Sequence, residues 1–429
     1  MAKSASIKHF IMRSVINELG RGVLGAAELR QRLAVSPPTL MRAVRRAGTR
    51  VVRIGRARAT RYGLRESWPG LDTSRFPVFR ISEGGLARSA GEVFTLASRQ
   101  TAWMPDGVVS DGLPVELVDA RPSGFLGRHF AATHADLRLP LRLSDWSDHH
   151  VLLAMSRRGE DLPGDLVLGD ESFARWQSLD VVPVSRGEYP ELAESTIAGH
   201  PPGSSAGGER PKFGVFVDGH HVLVKFAART VDPMGRRWCD LLVMEALALD
   251  VVSSHGVPAA RARVVEAPSH VFLESARFDR VGPRGRIAVL SLAAAHHDPA
   301  RSWAGAARDL RNARRLSDED ARRLRWLDAF GSLIGNTDRH QFNVLFFPDG
   351  SRLRLAPAFD QVSMVYAPLA DGRVVGGTFP LPLATADTLD VWNDARAAAR
   401  TFWDRASGDA RLSEDGRGIC ALNARALQD

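Results

Sequence analysis

Cysteine is nearly absent: Cys239 and Cys420 are the two in 429 residues, too few and too far apart for a disulfide framework or a cysteine zinc cluster. Both read as buried thiols. No apolar run approaches the roughly 18 residues a membrane span takes, and Met1 to Ser6 lacks the unbroken apolar stretch of a secretion signal. The expected location is the cytoplasm. No internal repeat is visible, and no G-x-x-x-x-G-K-S/T phosphate loop is present. The remainder, 44% hydrophobic with ordinary glycine and proline usage, is the composition of a globular chain of roughly two to four compact units.

Charge is unevenly spread. Residues 1–66 hold fifteen basic and three acidic side chains, a net of +12 against +8 for the whole chain, which leaves −4 for everything after them. A basic head on a mildly acidic body is the electrostatic footprint of a nucleic-acid-binding module joined to a part with another task. Within the head, Ile7, Phe10, Ile11, Val15 and Leu19 recur at helical spacing and stop at Gly20-Arg21-Gly22. A shorter helix over about Ala26–Leu33 follows. Ser36-Pro37-Pro38-Thr39 then supplies a cap and a first-turn proline for a third helix ending near Ala47-Gly48. Its Leu40, Ala43, Val44 and Ala47 face inward, leaving Thr39, Arg42, Arg45 and Arg46 outward, as a recognition helix requires. Val51 to Tyr62 alternates as a hairpin with Gly55 near its tip, a basic wing whose Arg56 and Arg58 can reach phosphates. These residues predict a winged helix-turn-helix that contacts DNA. A helical protein-docking module with a solvated arginine face is the plainer alternative.

Beyond Ser67-Trp68-Pro69-Gly70 the pattern changes. Phe76 to Ala97 reads as antiparallel strands, Arg121 to Arg128 as too rich in turn formers for a regular element, and Ser144 to Arg158 as helix-compatible. Pro201 to Lys212 is a small-residue loop leading into the strand Phe213–Val217, the turn Asp218-Gly219 and the strand His221–Phe226, which carries Lys225. Backbone amides of such a loop can approach a phosphate chain, and a strand lysine can reach its oxygens. Trp238 to Leu249 is an amphipathic helix; its Glu245 reads as an ordinary exposed residue, with pairing to Lys225 as the alternative.

The densest chemistry lies between residues 335 and 360: Asn336-Thr337-Asp338-Arg339-His340-Gln341-Phe342-Asn343, a hairpin over 344–355, then Ala358-Phe359-Asp360. Phosphoryl transfer to a hydroxyl needs a carboxylate to orient the nucleophile and oxygen ligands for Mg²⁺. Asp338 fits the first role, Asn343 and Asp360 the second. His296-His297 has no spaced partners for a metal and reads as a solvated or packed pair.

These segments resemble, in order, the motif series of HipA-family serine/threonine kinases: Ser204-Ser205-Ala206-Gly207-Gly208-Glu209, Arg277-Phe278-Asp279-Arg280, Asn336 to Asn343 and Ala358 to Asp360. Arg121 to Arg128 is similar to a segment of that family's N-terminal subdomain, and the fused basic head is similar to the YjjJ-like branch. The resemblance implies an α+β chain: a winged helix-turn-helix over 1–67, a β-rich kinase N-lobe with its subdomain over 68–262, and a helical C-lobe over 263–429. It implies ATP and Mg²⁺ as cofactors, with Asp338 catalytic. Ser204, Ser205, Gly207, Lys225, Ala276, Phe278, His340, Asn343 and Asp360 would surround ATP, the backbone from Ala276 to Phe278 holding adenine. Ser204 would be the site of autophosphorylation, with Ser205 its neighbouring candidate. Arg210-Pro211 before Lys212 is one residue longer than the family loop, and Gln361 stands where other kinases carry glycine.

The implied activity is phosphorylation of a Ser or Thr hydroxyl on a protein, with a growth-inhibiting toxin as the family setting, DNA as a partner of the head and an antitoxin as a further partner. A DNA-binding regulator whose kinase-like body senses nucleotide without catalysis is the alternative, and a small-molecule phosphotransferase a third.

Overall fold

The computed structural model describes residues 2–122, 124–198, 210–296 and 298–428, with side chains from Phe10 onward. The chain begins with helix α1 (Ala2–Leu19), strand β1 (Leu24–Gly25), α2 (Ala26–Leu33), α3 (Pro37–Ala47), β2 (Val51–Ile54) and β3 (Arg61–Leu64). The three strands pair antiparallel in the order β1-β3-β2. Val15, Leu19, Leu29, Leu40, Ala43 and Tyr62 close the core between helices and sheet. Pro37 at the first position of α3 has no amide to leave unpaired there.

A second unit follows: β4 (Arg75–Ile81), β5 (Ala87–Thr95), β6 (Gln100–Met104), β7 (Val108–Asp111), α4 (Val115–Val118), α5 (Gly124–Thr133), α6 (Asp148–Arg158), β8 (Leu166–Leu168) and α7 (Asp170–Ser178). Its five-stranded antiparallel sheet runs β7-β6-β5-β4-β8, and Val78, Val93, Trp103, Leu117, Val151 and Leu152 lie in the core beneath it. Helix α5 occupies the stretch that its turn formers argue against. A Cβ on Gly127 would stand 2.7 Å from the Pro122 carbonyl carbon and 2.9 Å from Leu143 Cδ1, so this glycine serves close packing, not a turn. The outer strands of the head lie against this second sheet: Val52 and Ile54 share a cluster with Leu96 and Ala102. Arg61 Nη2 donates to the Gly107 carbonyl at 2.7 Å, and a Cβ on Gly107 would come within 3.2 Å of the Gly55 amide nitrogen.

The rest of the chain forms two lobes. After α8 (Tyr189–Ala198) come β9 (Lys212–Val217), β10 (His220–Ala228), α9 (Pro233–Ser254), β11 (Ala262–Glu266) and β12 (His270–Ala276). They make a four-stranded antiparallel sheet ordered β11-β12-β10-β9. A break at 262/263 therefore divides one sheet; the sheet-bearing lobe continues to Ala276. Short strands β13 (Arg280–Val281), β14 (Gly285–Arg286) and β15 (Leu290–Ser291) lead into α10 (Leu292–Ala295), α11 (Trp303–Asn312), α12 (Asp318–Leu333), the hairpin β16 (Leu345–Asp349) and β17 (Arg352–Leu355), then α13 (Trp392–Ser407) and α14 (Glu414–Ala426). Trp303, Leu324, Phe330, Phe402 and Trp403 anchor the large core of this helical lobe, which continues into α9. Arg277 and Arg280 bind Asp161 of the second unit and Asp279 beside them, a partly buried charge network at the junction.

Candidate functional site

The site begins with a two-residue hairpin. Asp218 and Gly219 both have positive φ, as the tight turn that matches strand twist requires, and they set the register of β9 on β10. Alternation along β10 then sends Val222, Val224 and Phe226 into the cluster under Tyr189 of α8. Lys225 falls on the opposite face, toward α9. There its Nζ donates to Glu245 Oε1 at 2.6 Å and Oε2 at 2.8 Å, and it also bonds the Asp360 carboxylate. Glu245 is thus not an exposed helix residue: it is 2% accessible and paired with the strand lysine.

The loop after α12 supplies the other half. Asn336 Oδ1 accepts from the Asp338 amide at 3.0 Å, while its Nδ2 donates to the Asp360 carbonyl at 3.2 Å, so one buried amide ties the two aspartate segments together. Asn343 Nδ2 donates to the Asp338 carbonyl at 2.9 Å, which uses one of its two amide hydrogens and leaves Oδ1 as its ligand atom. Arg339 turns away to Asp328 at 3.1 Å. Gln341, bonded to the Asp298 and Arg301 carbonyls, pins the next turn. Asp360 itself adopts a left-handed φ of +52°.

Burial drives Lys225 toward the neutral amine, but Asp360 and Glu245 outweigh it and hold the ammonium. Burial likewise raises Asp360, yet Lys225 and Lys212 prevail and hold its carboxyl down at about 2. Glu245 is pushed up by burial against the pull of Lys225. The two partners of that pair are thus drawn in opposite senses. With one buried cation shared by two carboxylates, the ammonium is the fixed charge and Glu245 the group that gives way. Asp338 is raised too, first by burial and then by Asp360, against His340 and the lysines. Its side chain is 59% exposed and lies 3.9 Å from His340 Nε2.

Lys225, Asp338, His340, Asn343 and Asp360 are therefore gathered at one place, together with Glu245, whose pairing with Lys225 was the alternative reading, and with Lys212 and Asn336, whose parts were not assigned from sequence. Ser204, Ser205 and Gly207 lie outside the described residues. At the strand end, the Ala276 amide donates to the Arg261 carbonyl and the Arg277 amide to the His221 carbonyl, both at about 3 Å. These two donors are committed to the sheet, while the Phe278 ring packs near Phe347 and Phe359. A hollow of about 580 Å³ lies elsewhere, beside Pro69, His149, His150 and Glu171 of the second unit. It shares no residue with the carboxylate–lysine cluster, and the side-chain geometry, not hollow size, locates the site.

On the head, Arg42, Arg45, Arg46, Arg56 and Arg58 are exposed, and Thr39 is half-buried, accepting from Arg42 at 3.2 Å. Cys420 is buried and Cys239 half-buried; burial pushes their thiols up to about 12 and about 11. His296 bonds Asp309 at 3.2 Å, and among the described residues no cluster of three or more His, Cys, Asp and Glu side chains suits a metal. No described helix is long and apolar enough to cross a membrane.

Residues 204–417 match the family model of the HipA-like C-terminal domain, and residues 72–177 that of the YjjJ-like toxin middle domain. The chain belongs to the HipA-like toxins, in their YjjJ-like branch. It is 34% identical over 429 residues to the toxin YjjJ of Escherichia coli strain K12, across 95% of this chain and 96% of that protein. Among solved structures it resembles HipA of Shewanella oneidensis MR-1, determined with HipB and operator DNA, at a TM-score of 0.54 and 16% identity over 81% of this chain and 95% of that one. The Helicobacter pylori proinflammatory kinase CtkA matches 51% of this chain and 88% of its own at a TM-score of 0.36 and 13% identity. HipA-like fold and toxin family thus stand together.

Proposed function

We propose that this chain is a cytoplasmic, ATP- and Mg²⁺-dependent serine/threonine protein kinase of HipA type whose N-terminal unit is a winged helix-turn-helix that binds DNA. The observation that carries the reading is Lys225 held between Glu245 and Asp360 on the loop system that presents Asp338 and Asn343. The donor set fits a magnesium-bound triphosphate. Asp360 stays ionised, and Asn343, whose Nδ2 donates to the Asp338 carbonyl, offers Oδ1 as a second hard oxygen. Bound ATP with Mg²⁺ supplies the transferable phosphoryl group and neutralises its charge. Asp360 and Asn343 would hold the metal, and Lys225, fixed by Glu245, would meet phosphate oxygens as a point charge. Asp338, partly exposed and raised by burial, would accept the proton of an incoming hydroxyl as its oxygen bonds the γ-phosphorus and the bond to ADP breaks.

The partners on this reading are a protein carrying the acceptor Ser or Thr, DNA along α3 and the wing, and an antitoxin, with Ser204 as a self-acceptor. For the head, the support is a three-helix and sheet unit whose Arg42, Arg45, Arg46, Arg56 and Arg58 form no ion pairs among the described residues.

Transfer of labelled γ-phosphate to the chain and to bacterial protein extract tests the proposal. Asp338→Ala is expected to lower it by about 10²- to 10⁴-fold, the usual worth of a positioned acid or base. Equal labelling of both proteins would reject Asp338 as the base. Mg·ATP binding without any transfer would instead favour the nucleotide-sensing regulator.

A further inference from the structure

Chain leading to β9 passes through Arg210, and its guanidinium has an unusual setting. Its central carbon stands 3.7 Å from the centroid of the Trp238 ring. Nη2 reaches the Phe226 carbonyl at 3.4 Å, and Nε is buried without a hydrogen-bond partner. No carboxylate among the described residues pairs with it, and burial pushes its pKa down to about 9. As a charge pair this arginine offers nothing; what it has is a flat face laid on an indole.

The position of that indole gives the stack a meaning. Trp238 lies seven residues before Glu245 on α9, two turns along the same helix face. One face of one helix therefore grips the cleft sheet twice: Glu245 holds Lys225 of β10, and Trp238 holds Arg210 at the entrance to β9. Between them stands Lys212, directly opposite Lys225 in the ladder and a counter-charge to Asp360. Pro211 adds a rigid φ, and its carbonyl accepts from the Phe226 amide at 3.2 Å. We propose that Arg210 and Trp238 are a positioning pair, whose stack fixes the entry of β9 on α9 and so holds Lys212 and Lys225 at the separation a nucleotide's phosphates need. This rests on the nucleotide-binding reading above and assigns it a second anchor beside Lys225–Glu245.

Calorimetric titration of the full chain with Mg·ATP, paired with the ATP dependence of transfer, provides the test. Arg210→Ala and Trp238→Ala are expected to weaken Mg·ATP binding about tenfold and raise KM for ATP in step, with kcat little changed. Trp238→Phe, which keeps a ring face, should stay within about twofold of the parent. A general loss of fold would behave differently, lowering kcat and the thermal midpoint together and giving no rescue by phenylalanine. Should Arg210→Ala not fold, the Trp238→Ala and Trp238→Phe contrast decides alone. Parent-like affinity in both alanine variants, or equal weakening by Trp238→Phe and Trp238→Ala, overturns the pair while leaving the kinase reading intact. Failure of the parent chain itself to bind Mg·ATP removes the nucleotide reading and the pair with it.

Discussion

The head and the cleft both concentrate charge, but in opposite ways. On the head, five arginines of α3 and the wing stand in solvent without counter-ions among the described residues, over a small core. In the cleft a single lysine, 6% accessible, is enclosed by two carboxylates over the largest core of the molecule. Exposed charge of one sign acts at a distance and is screened by salt. Enclosed charge acts only on what enters, and its energetics are set by desolvation. Composition reveals the first kind; only order and spacing reveal the second.

The contrast can be broken from the cleft side first. Lys225→Met leaves Glu245 buried without its cation, and removing one partner of such a pair typically costs about 3–5 kcal/mol. Chemical denaturation should show a loss within that range. With the Glu245 carboxyl raised in the folded state, the variant's stability should fall further as pH rises. From the head side, five phosphate contacts imply a salt slope of about −4.5, so DNA affinity should drop roughly 500-fold between 50 and 200 mM salt. A flat response in a fluorescence-anisotropy titration would return the head to protein docking.

Acid sharpens the difference. The Asp360 carboxyl sits at about 2, below its unfolded value near 3.9. Its contribution is therefore present above pH ~4 and lost as pH falls toward 2. Asp360 alone would lose about 1.7 kcal/mol between pH 5 and pH 2.5, and Glu245, shifted the other way, offsets part of it, so their combined loss read from denaturation midpoints stays below that figure. The smallest effect is Arg42→Ala, which should reduce the magnitude of the salt slope by about one and weaken binding across DNA sequences alike.

Much of this was legible in the residues. Asp338, Asn343 and Asp360 are polar groups at turn positions whose order around a hairpin marks them out, and the structure gathers them as that order suggests. The strand carrying Lys225 and the three helices of the head follow from period and caps. Glu245 was legible only as the less favoured alternative: a glutamate in an amphipathic helix looks the same whether it faces water or a lysine twenty residues earlier. Asn336 was hidden for the opposite reason, since its bond to the Asp338 amide is an ordinary i, i+2 turn and its bond to Asp360 depends on tertiary folding. Helix α5 was missed because Gly124 and Gly127 resemble turn residues until the Pro122 backbone is seen against Gly127. The extent of the cleft sheet was cut short at residue 262, where β11 and β12 carry no mark of their pairing with β10.

The seam between head and body, where Val52 and Ile54 meet Leu96 and Ala102 and Gly55 touches Gly107, carries one more consequence. A module hung on a tether would let the remainder of the molecule wander around its anchoring point. Here the two are welded along a strand edge, so a molecule seated on a double helix would show its cleft at one fixed azimuth. Two copies on neighbouring turns would then face each other, or away, according to base-pair spacing alone.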